Sequence, residues 1–185
     1  NMQAVFMPDY IISNSGAIIN KGSEVLNEIL IDTKAVQGII KEYLVNDEIT
    51  CITVDADNKT FTISDNPWDS ENWNVCSFDF SKPFTHETTK IFLECENVDV
   101  VSKLVSKYPG LHMYPNSNDN WVQIANTHAT KLNGITIICN DLGIGLNNVL
   151  CFGNDYNDVE MLTTCGVGVA VENALDKAKN AANFI

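Results

Sequence analysis

The sequence predicts an α/β core with a parallel sheet, interrupted by an inserted α+β module. Three observations carry this. The C-terminal third alternates helical and strand-like apolar patterns, the rhythm of a parallel sheet with crossover helices. The middle reads helix, hairpin, strand, helix, hairpin, which is the order of an antiparallel module. The apolar run Val149-Leu150-Cys151-Phe152 passes at once into Gly153-Asn154-Asp155-Tyr156-Asn157-Asp158. Clustered polar groups at the carboxyl end of a strand are where open α/β sheets put ligands.

Taken in order, Tyr10-Ile11-Ile12 predicts a short buried strand, followed by a polar turn through Ser13 to Gly16 and then Ala17 to Ile19. Asn20-Lys21-Gly22 is a turn signal. From Asp32 or Thr33 as N-cap, Val36, Ile39, Ile40, Tyr43 and Leu44 recur at helical spacing. Ile49 to Val54 and Thr60 to Ile63 flank a polar turn and predict a hairpin. Asp65 to Pro83, which holds Trp68 and Trp73, has no clean period and reads as a long connection. Lys90 to Cys95 is a strand. Val98, Val101, Leu104 and Val105 mark a helix closed by Pro109-Gly110. Leu111 to Tyr114 and Trp121 to Ile124 form a second hairpin. Leu132, Ile135, Ile138, Cys139 and Leu142 mark a helix that Gly143 stops. A buried strand at 149–152, a helix through Leu162, a strand from Val167 to Val171 and a helix from Ala174 follow.

The chain has 185 residues, enough for one domain or two small ones with a real core. Its formal charge of −13 argues against nucleic acid or an anionic membrane as partner. No apolar run of about 18 residues predicts a membrane span, and no basic-then-apolar leader opens the sequence. Six scattered cysteines, with no Cys-x-x-Cys pair, predict buried thiols in a reducing cytoplasm rather than a disulfide framework or a zinc site.

The polar cluster after Phe152 carries the chemistry. Oxygen-only side chains this close together suit a hard cation such as Mg²⁺, which takes one or two carboxylates and keeps its waters. The plainer alternative is a solvated loop with an Asn/Asp helix cap.

Four stretches together resemble one family. They are Thr130-Lys131-Leu132-Asn133-Gly134, then Phe152 to Asp158 with Met161-Leu162, then Gly166 to Ala170, then Glu172-Asn173-Ala174. This combination is similar to the C-terminal half of haloacid dehalogenase (HAD) superfamily phosphatases, and most of all to the Cof-type sugar-phosphate phosphatases with a large α/β cap. Tyr10 to Ile19 resembles the strand and Asn-Gly-Ala turn that precede the cap in that group. The resemblance implies a Rossmann-like core over 1–21 and 126–185 and an α+β cap over 22–125.

It also implies roles. Lys131 matches the lysine that neutralises the nucleophile and the transferring phosphoryl group, a task that needs a cation. Asn154 and Asp158 match the Mg²⁺ positions. The family usually has Asp where Asn154 stands; the amide oxygen can still ligate Mg²⁺, more weakly for want of a charge, or Asp155 takes over with a small loop shift. Asn157 matches an Asn near the phosphate. Asn14, in the turn before the cap, and Asn173, after the next strand, are counted with it as substrate-binding, with a simple helix cap as the alternative for Asn173. The implied activity is hydrolysis of a small phosphorylated metabolite, a sugar phosphate, through an aspartyl-phosphate. The alternatives are a phosphotransferase or mutase on the same fold, and a non-catalytic phosphosugar-binding regulator.

The family's nucleophile sits in an N-terminal Asp-x-Asp-Gly-Thr motif, and a second motif ends in Ser or Thr before the cap. Neither precedes Tyr10. The family also adds a strand and helix after the position of Ile185. The expectation is therefore an excerpt that is inactive alone. One internal stretch, Asp55-Ala56-Asp57-Asn58-Lys59-Thr60, has the Asp-x-Asp spacing for a nucleophile and an acid. Asp and Asn between two β-rich runs equally predict a hairpin turn. His86, His112 and His128 form no evident triad. Trp68, Trp73 and Trp121 fall in the implied cap.

Overall fold

A computed structural model of the chain describes residues 8–63, 74–117 and 119–185. Strands β1 (Tyr10–Ser13), β2 (Ile18–Lys21) and β3 (Glu24–Glu28) form an antiparallel sheet in that order. A single 3-10 turn, Asn14–Gly16, joins β1 to β2. The β2–β3 turn falls at Gly22 with φ 58°, so Lys21 belongs to the strand rather than to the turn. The segment Glu24-Val25-Leu26-Asn27-Glu28 was not legible as a strand. It is mostly exposed and ends in charge at both termini.

The inserted module follows the predicted order. Helix α1 (Thr33–Val45) starts at Asp32, whose carboxylate accepts from the Lys34 and Ala35 N–H groups. Strands β4 (Cys51–Ala56), β5 (Lys59–Thr62), β6 (Val75–Ser77), β7 (Thr88–Glu94), β8 (Leu111–Pro115) and β9 (Trp121–Asn126), with helix α2 (Val98–Val105), complete it. The sheet order is β6-β5-β4-β7-β9-β8. All its pairings are antiparallel except β5 with β6. Strand β6 lies within the stretch expected to be a plain connection, and its three residues are too few to show a period. Trp68 and Trp73 fall outside the described residues.

Period-2 alternation gives this sheet one dry face. Ile52, Val54, Ile91, Leu93, Val122 and Ile124 are fully buried there, in one apolar cluster with Ile39 of α1 and Val101 of α2. Burying each such side chain contributes roughly 1.5–3 kcal/mol. The opposite face carries Thr53, Asp55, Lys90, Phe92 and Gln123 in cross-strand register.

The C-terminal part comprises α3 (Lys131–Leu142), β10 (Leu150–Gly153), a 3-10 turn at Tyr156–Asp158 running into α4 (Val159–Thr164), β11 (Val167–Ala170) and α5 (Asp176–Ala181). Strands β10 and β11 are parallel, as the alternating pattern predicts. The expected burial of 149–152 is half right. Cys151 and Gly153 point inward, but Leu150 is 57% and Phe152 61% exposed. Helices cover only one side of this two-stranded sheet, so every second apolar residue faces outward. Val149 precedes the strand, and Ala174 lies ahead of α5, after the turn at Glu172 and Asn173.

The three-stranded sheet touches both the module and this part. Ala17 and Ile18 pack with Ala125 and Ala129. Gly16, at φ 106°, lies so close to Thr130 that an added Cβ would fall 2.2 Å from its carbonyl oxygen.

Candidate active site

The Thr130 hydroxyl accepts from the Asn133 N–H at 3.1 Å, which fixes the start of α3 at Lys131. From there the lysine reaches the carboxyl end of β10. Its Nζ lies 2.6 Å from Oδ1 of Asp158. Oδ2 of the same carboxylate accepts from the backbone N–H groups of Asn154 at 2.9 Å and Asp155 at 3.2 Å. Asp158 is 1% exposed. A buried carboxylate needs a charge partner and hydrogen bonds to persist, and it has both.

The loop around it is held by a reciprocal cap between Asp155 and Asp158. Asp155 Oδ1 accepts from the Tyr156 N–H at 2.6 Å, and its Oδ2 accepts from the Ser117 hydroxyl at 3.2 Å. Ser117 lies in the β8–β9 connection, so the six-stranded module touches this loop directly. Gly153 permits the close approach: a Cβ there would sit 2.6 Å from that of Asp158.

Asn157 completes the cluster. Its Oδ1 is buried and has no hydrogen-bond partner. A buried acceptor left open requires an explanation, and a bound donor or cation supplies one. Among the described residues no group of three or more His, Cys, Asp or Glu side chains converges as a metal cluster. The loop carries two carboxylates, Asp155 and Asp158, and the amides of Asn154 and Asn157. That composition suits Mg²⁺, which needs only one or two protein carboxylates.

The expected residues divide into three groups. Lys131, Asn154, Asp155, Asn157 and Asp158 share one loop and one ion pair. Asn173 lies on the adjoining turn, which is tied to the first loop by Val171 N–H to Gly153 O at 3.2 Å and Leu175 N–H to Asn154 O at 2.9 Å. The N-cap of α5 is Leu175, so the cap alternative for Asn173 is not what forms. The Asn14 side chain donates to Thr89 Oγ1 at 2.7 Å, on the six-stranded sheet.

The Asp55-x-Asp57 stretch is a hairpin turn. Asp57 and Asn58 both have positive φ, 49° and 58°, the geometry of tight two-residue hairpins. Asp55 accepts from Thr60 at 2.7 Å and pairs with Lys90 at 3.2 Å. Asp57 meets His86 Nδ1 at 2.6 Å. His86 stacks on Phe61, and Trp121 packs edge-on against Phe92, so these two serve packing. His128 is exposed in the turn before α3. All six cysteines are free thiols, and burial pushes Cys151 beneath the site up to about 12, keeping it protonated. Ser117 was missed from sequence, where a lone serine in a polar loop carries no signal.

Residues 1–185 match the sequence profile of the haloacid dehalogenase-like hydrolases. A Buchnera aphidicola protein with a provisional phosphatase name is 28% identical over 180 residues, which cover 91% of this chain and 66% of that protein. The 5-amino-6-(5-phospho-D-ribitylamino)uracil phosphatase YcsE of Bacillus subtilis is 27% identical over 124 residues, 65% of this chain and 49% of its own. Among solved structures, the HAD subclass IIB sugar phosphatase BT4131 superposes with a TM-score of 0.82 at 20% identity, over 95% of this chain and 69% of that one. The chain thus spans about two thirds or less of the length of these curated relatives.

Proposed function

We propose, from the premise that this chain belongs to the haloacid dehalogenase-like hydrolase family, that it forms the phosphate-binding and cation-binding side of a Mg²⁺-dependent phosphatase for small phosphorylated metabolites. One observation carries the reading: Lys131 and Asp158 form an ion pair at the carboxyl end of β10, and Asn157, the residue before Asp158, keeps a buried oxygen unpartnered. The proposed division is a core over 1–21 and 126–185 and a cap over 22–125.

In this reading the Lys131 ammonium balances charge that builds on the phosphoryl oxygens, an effect largest where water is excluded. Asp158 holds Lys131 in place, and its bonds to the Asn154 and Asp155 N–H groups set the loop. Asn154, Asp155 and Asp158 would hold the cation, with Asn157 accepting from a cation-bound water or from substrate. When bound, Mg²⁺ supplies further charge neutralisation for the transferring group. The names of the relatives support a phosphate ester as substrate, and the subclass IIB neighbour supports a sugar phosphate. Asp158 and Asp155 are engaged by the lysine and the loop, and no other carboxylate among the described residues pairs with Lys131. The 185-residue chain alone is therefore expected to bind phosphate without releasing it from esters. A non-catalytic phosphosugar binder is the second reading that the same engagement favours.

The test is phosphate release from hexose and aryl phosphates by the whole natural protein that carries this chain, with Mg²⁺ or EDTA. Release that stops in EDTA and falls about 10²–10³-fold in Lys131→Met supports the proposal. Sugar-phosphate binding without release from the whole protein would sink the catalytic reading in favour of the binder. Transfer to an added sugar in place of water would move it to a phosphotransferase.

A further inference from the structure

The polar face of the six-stranded sheet holds a second set of unsatisfied groups. Gln123, on β9, is 6% exposed, and its Nε2 has no hydrogen-bond partner. Its Oε1 accepts from the Ser15 hydroxyl at 2.9 Å. With Oε1 held by the Ser15 hydroxyl, the end left open is the amide N–H. His112, on β8, also has a buried, unpartnered Nε2. In the ladder, Gln123 pairs with Tyr114 and with Phe92, and His112 pairs with Ala125. Gln123 and His112 are therefore diagonal neighbours on one face.

Two contacts connect the neighbourhood of that face to the loop already described. Ser15 adjoins Gly16, which packs on Thr130 beside Lys131. Ser117, just past the end of β8, bonds Asp155. Its charged groups are already satisfied, because Lys90 is paired with Asp55 and Asp55 also accepts from Thr60. Desolvation holds the His112 imidazole below its ordinary pKa and so uncharged. What remains open is neutral: an amide N–H flanked in the ladder by Phe92 and Tyr114, and an imidazole nitrogen whose ring lies against Tyr114. Native proteins rarely leave such atoms unpaired, since each gives up its hydrogen bonds to water and gains none in return. Uncharged donors and acceptors among aromatic faces fit hydroxyl groups on a carbon skeleton, and they do not fit a second anion.

We propose that Gln123 is a specificity-determining residue that donates from Nε2 to a hydroxyl oxygen of the polyhydroxylated part of the substrate, with Ser15 as its positioning residue. This rests on the phosphatase reading only in that the phosphate is taken to occupy the Lys131 loop.

Calorimetric titration of the unaltered chain with hexose 6-phosphate and with hexyl phosphate, which has the same carbon count and no hydroxyls, tests it. The expected result is preference for the hexose phosphate. Gln123→Leu and Gln123→Glu, which both remove the donor, should weaken hexose phosphate about tenfold and leave hexyl phosphate within twofold. Ser15→Ala should give a smaller loss in the same direction. Thermal melts establish that the variants are folded. No preference in the unaltered chain, a preference that survives both Gln123 variants, or an equal fall for both ligands would overturn the proposal. If the preference behaves as expected while the whole protein releases no phosphate, the catalytic reading fails and the hydroxyl site stands.

Discussion

Lys131 and Asp158, 27 positions apart, meet at 2.6 Å with the carboxylate 2% and the lysine 34% exposed. One partner is thus buried and the other reaches the surface, so removing the lysine strands the carboxylate. Lys131→Met should destabilise the fold by about 2–3 kcal/mol, below the range for a fully buried pair because Lys131 is partly solvated. Urea titration checks this. The double variant Lys131→Met/Asp158→Asn should recover part of the loss, and no recovery would mean that the pair is not coupled.

Gly153→Ala should be worse for the site than its size suggests. The new Cβ would lie 2.6 Å from Asp158 Cβ and 2.9 Å from Cγ, atoms that cannot swing aside without moving the loop. We expect a loss of about 1–3 kcal/mol together with weaker binding of inorganic phosphate. A variant that keeps wild-type phosphate affinity would show that the loop tolerates the shift.

Asp55→Asn separates the hairpin from a nucleophile. The Asp55 carboxylate is shared between Thr60 and Lys90 on an antiparallel strand. Any phosphate release by the whole protein should stay within about twofold of normal, against losses of 10⁴ or more for a true nucleophile. Abolished release would restore the Asp55-x-Asp57 pair as the reacting carboxylates.

Acid should loosen the attachment of β1 and β2 to α3. Asp141 is held below its ordinary value of 3.8, first by the hydrogen bond from Lys21 and then by that from Tyr10. A depressed carboxylate contributes stability that is complete above its unfolded pKa and is lost as pH falls through the folded one. At the basic end Lys21 is raised from 10.5 to about 12 by the same partners, Asp141 first, so its share is complete below 10.5 and is lost as pH rises through about 12. Asp141→Asn should lower the melting temperature slightly at neutral pH and make no difference well below pH 3.8. A deficit that persists in acid would assign the effect to packing.

Phe152 should be replaceable. It is 61% exposed beside Leu150 on the open side of β10. Phe152→Lys should change stability by no more than about 0.5 kcal/mol and reduce binding of a hydrophobic dye, which contiguous apolar surface attracts. A loss above about 2 kcal/mol would show that this side is covered in solution.

Helical spacing and caps were the most legible features. Asp32 and Thr130 both cap as their residue types predict, and Gly143 ends α3 in the left-handed conformation. Strands were legible where one face is dry, as in β4 and β7, and illegible in β3 and β6, which are charged or too short. The burial of β10 was misread because apolar sequence does not report whether a second layer covers it. The loop from Asn154 to Asp158 could be located from composition and family likeness. Neither could foresee that Asp158 binds backbone N–H groups while Lys131 neutralises it. Gln123 was invisible because an isolated Gln in a strand looks like any outward-facing polar residue until its neighbours enclose it.

The chain passes between the three-stranded sheet and the six-stranded module after β3 and returns after β9, and the two passages run side by side. Ile29 N–H donates to Ala17 O at 2.8 Å, and Asn126 Nδ2 donates to Leu30 O at 2.9 Å. Two adjacent passages tied by a hydrogen bond have the geometry of a door hinge, which would allow swing about one line and resist shear or twist. The bulk of an admitted molecule would then be limited by the opening angle. Because Ser15 and Asn14 are fastened to the sheet only a few residues from that line, a molecule seated against Gln123 would press on the pivot itself.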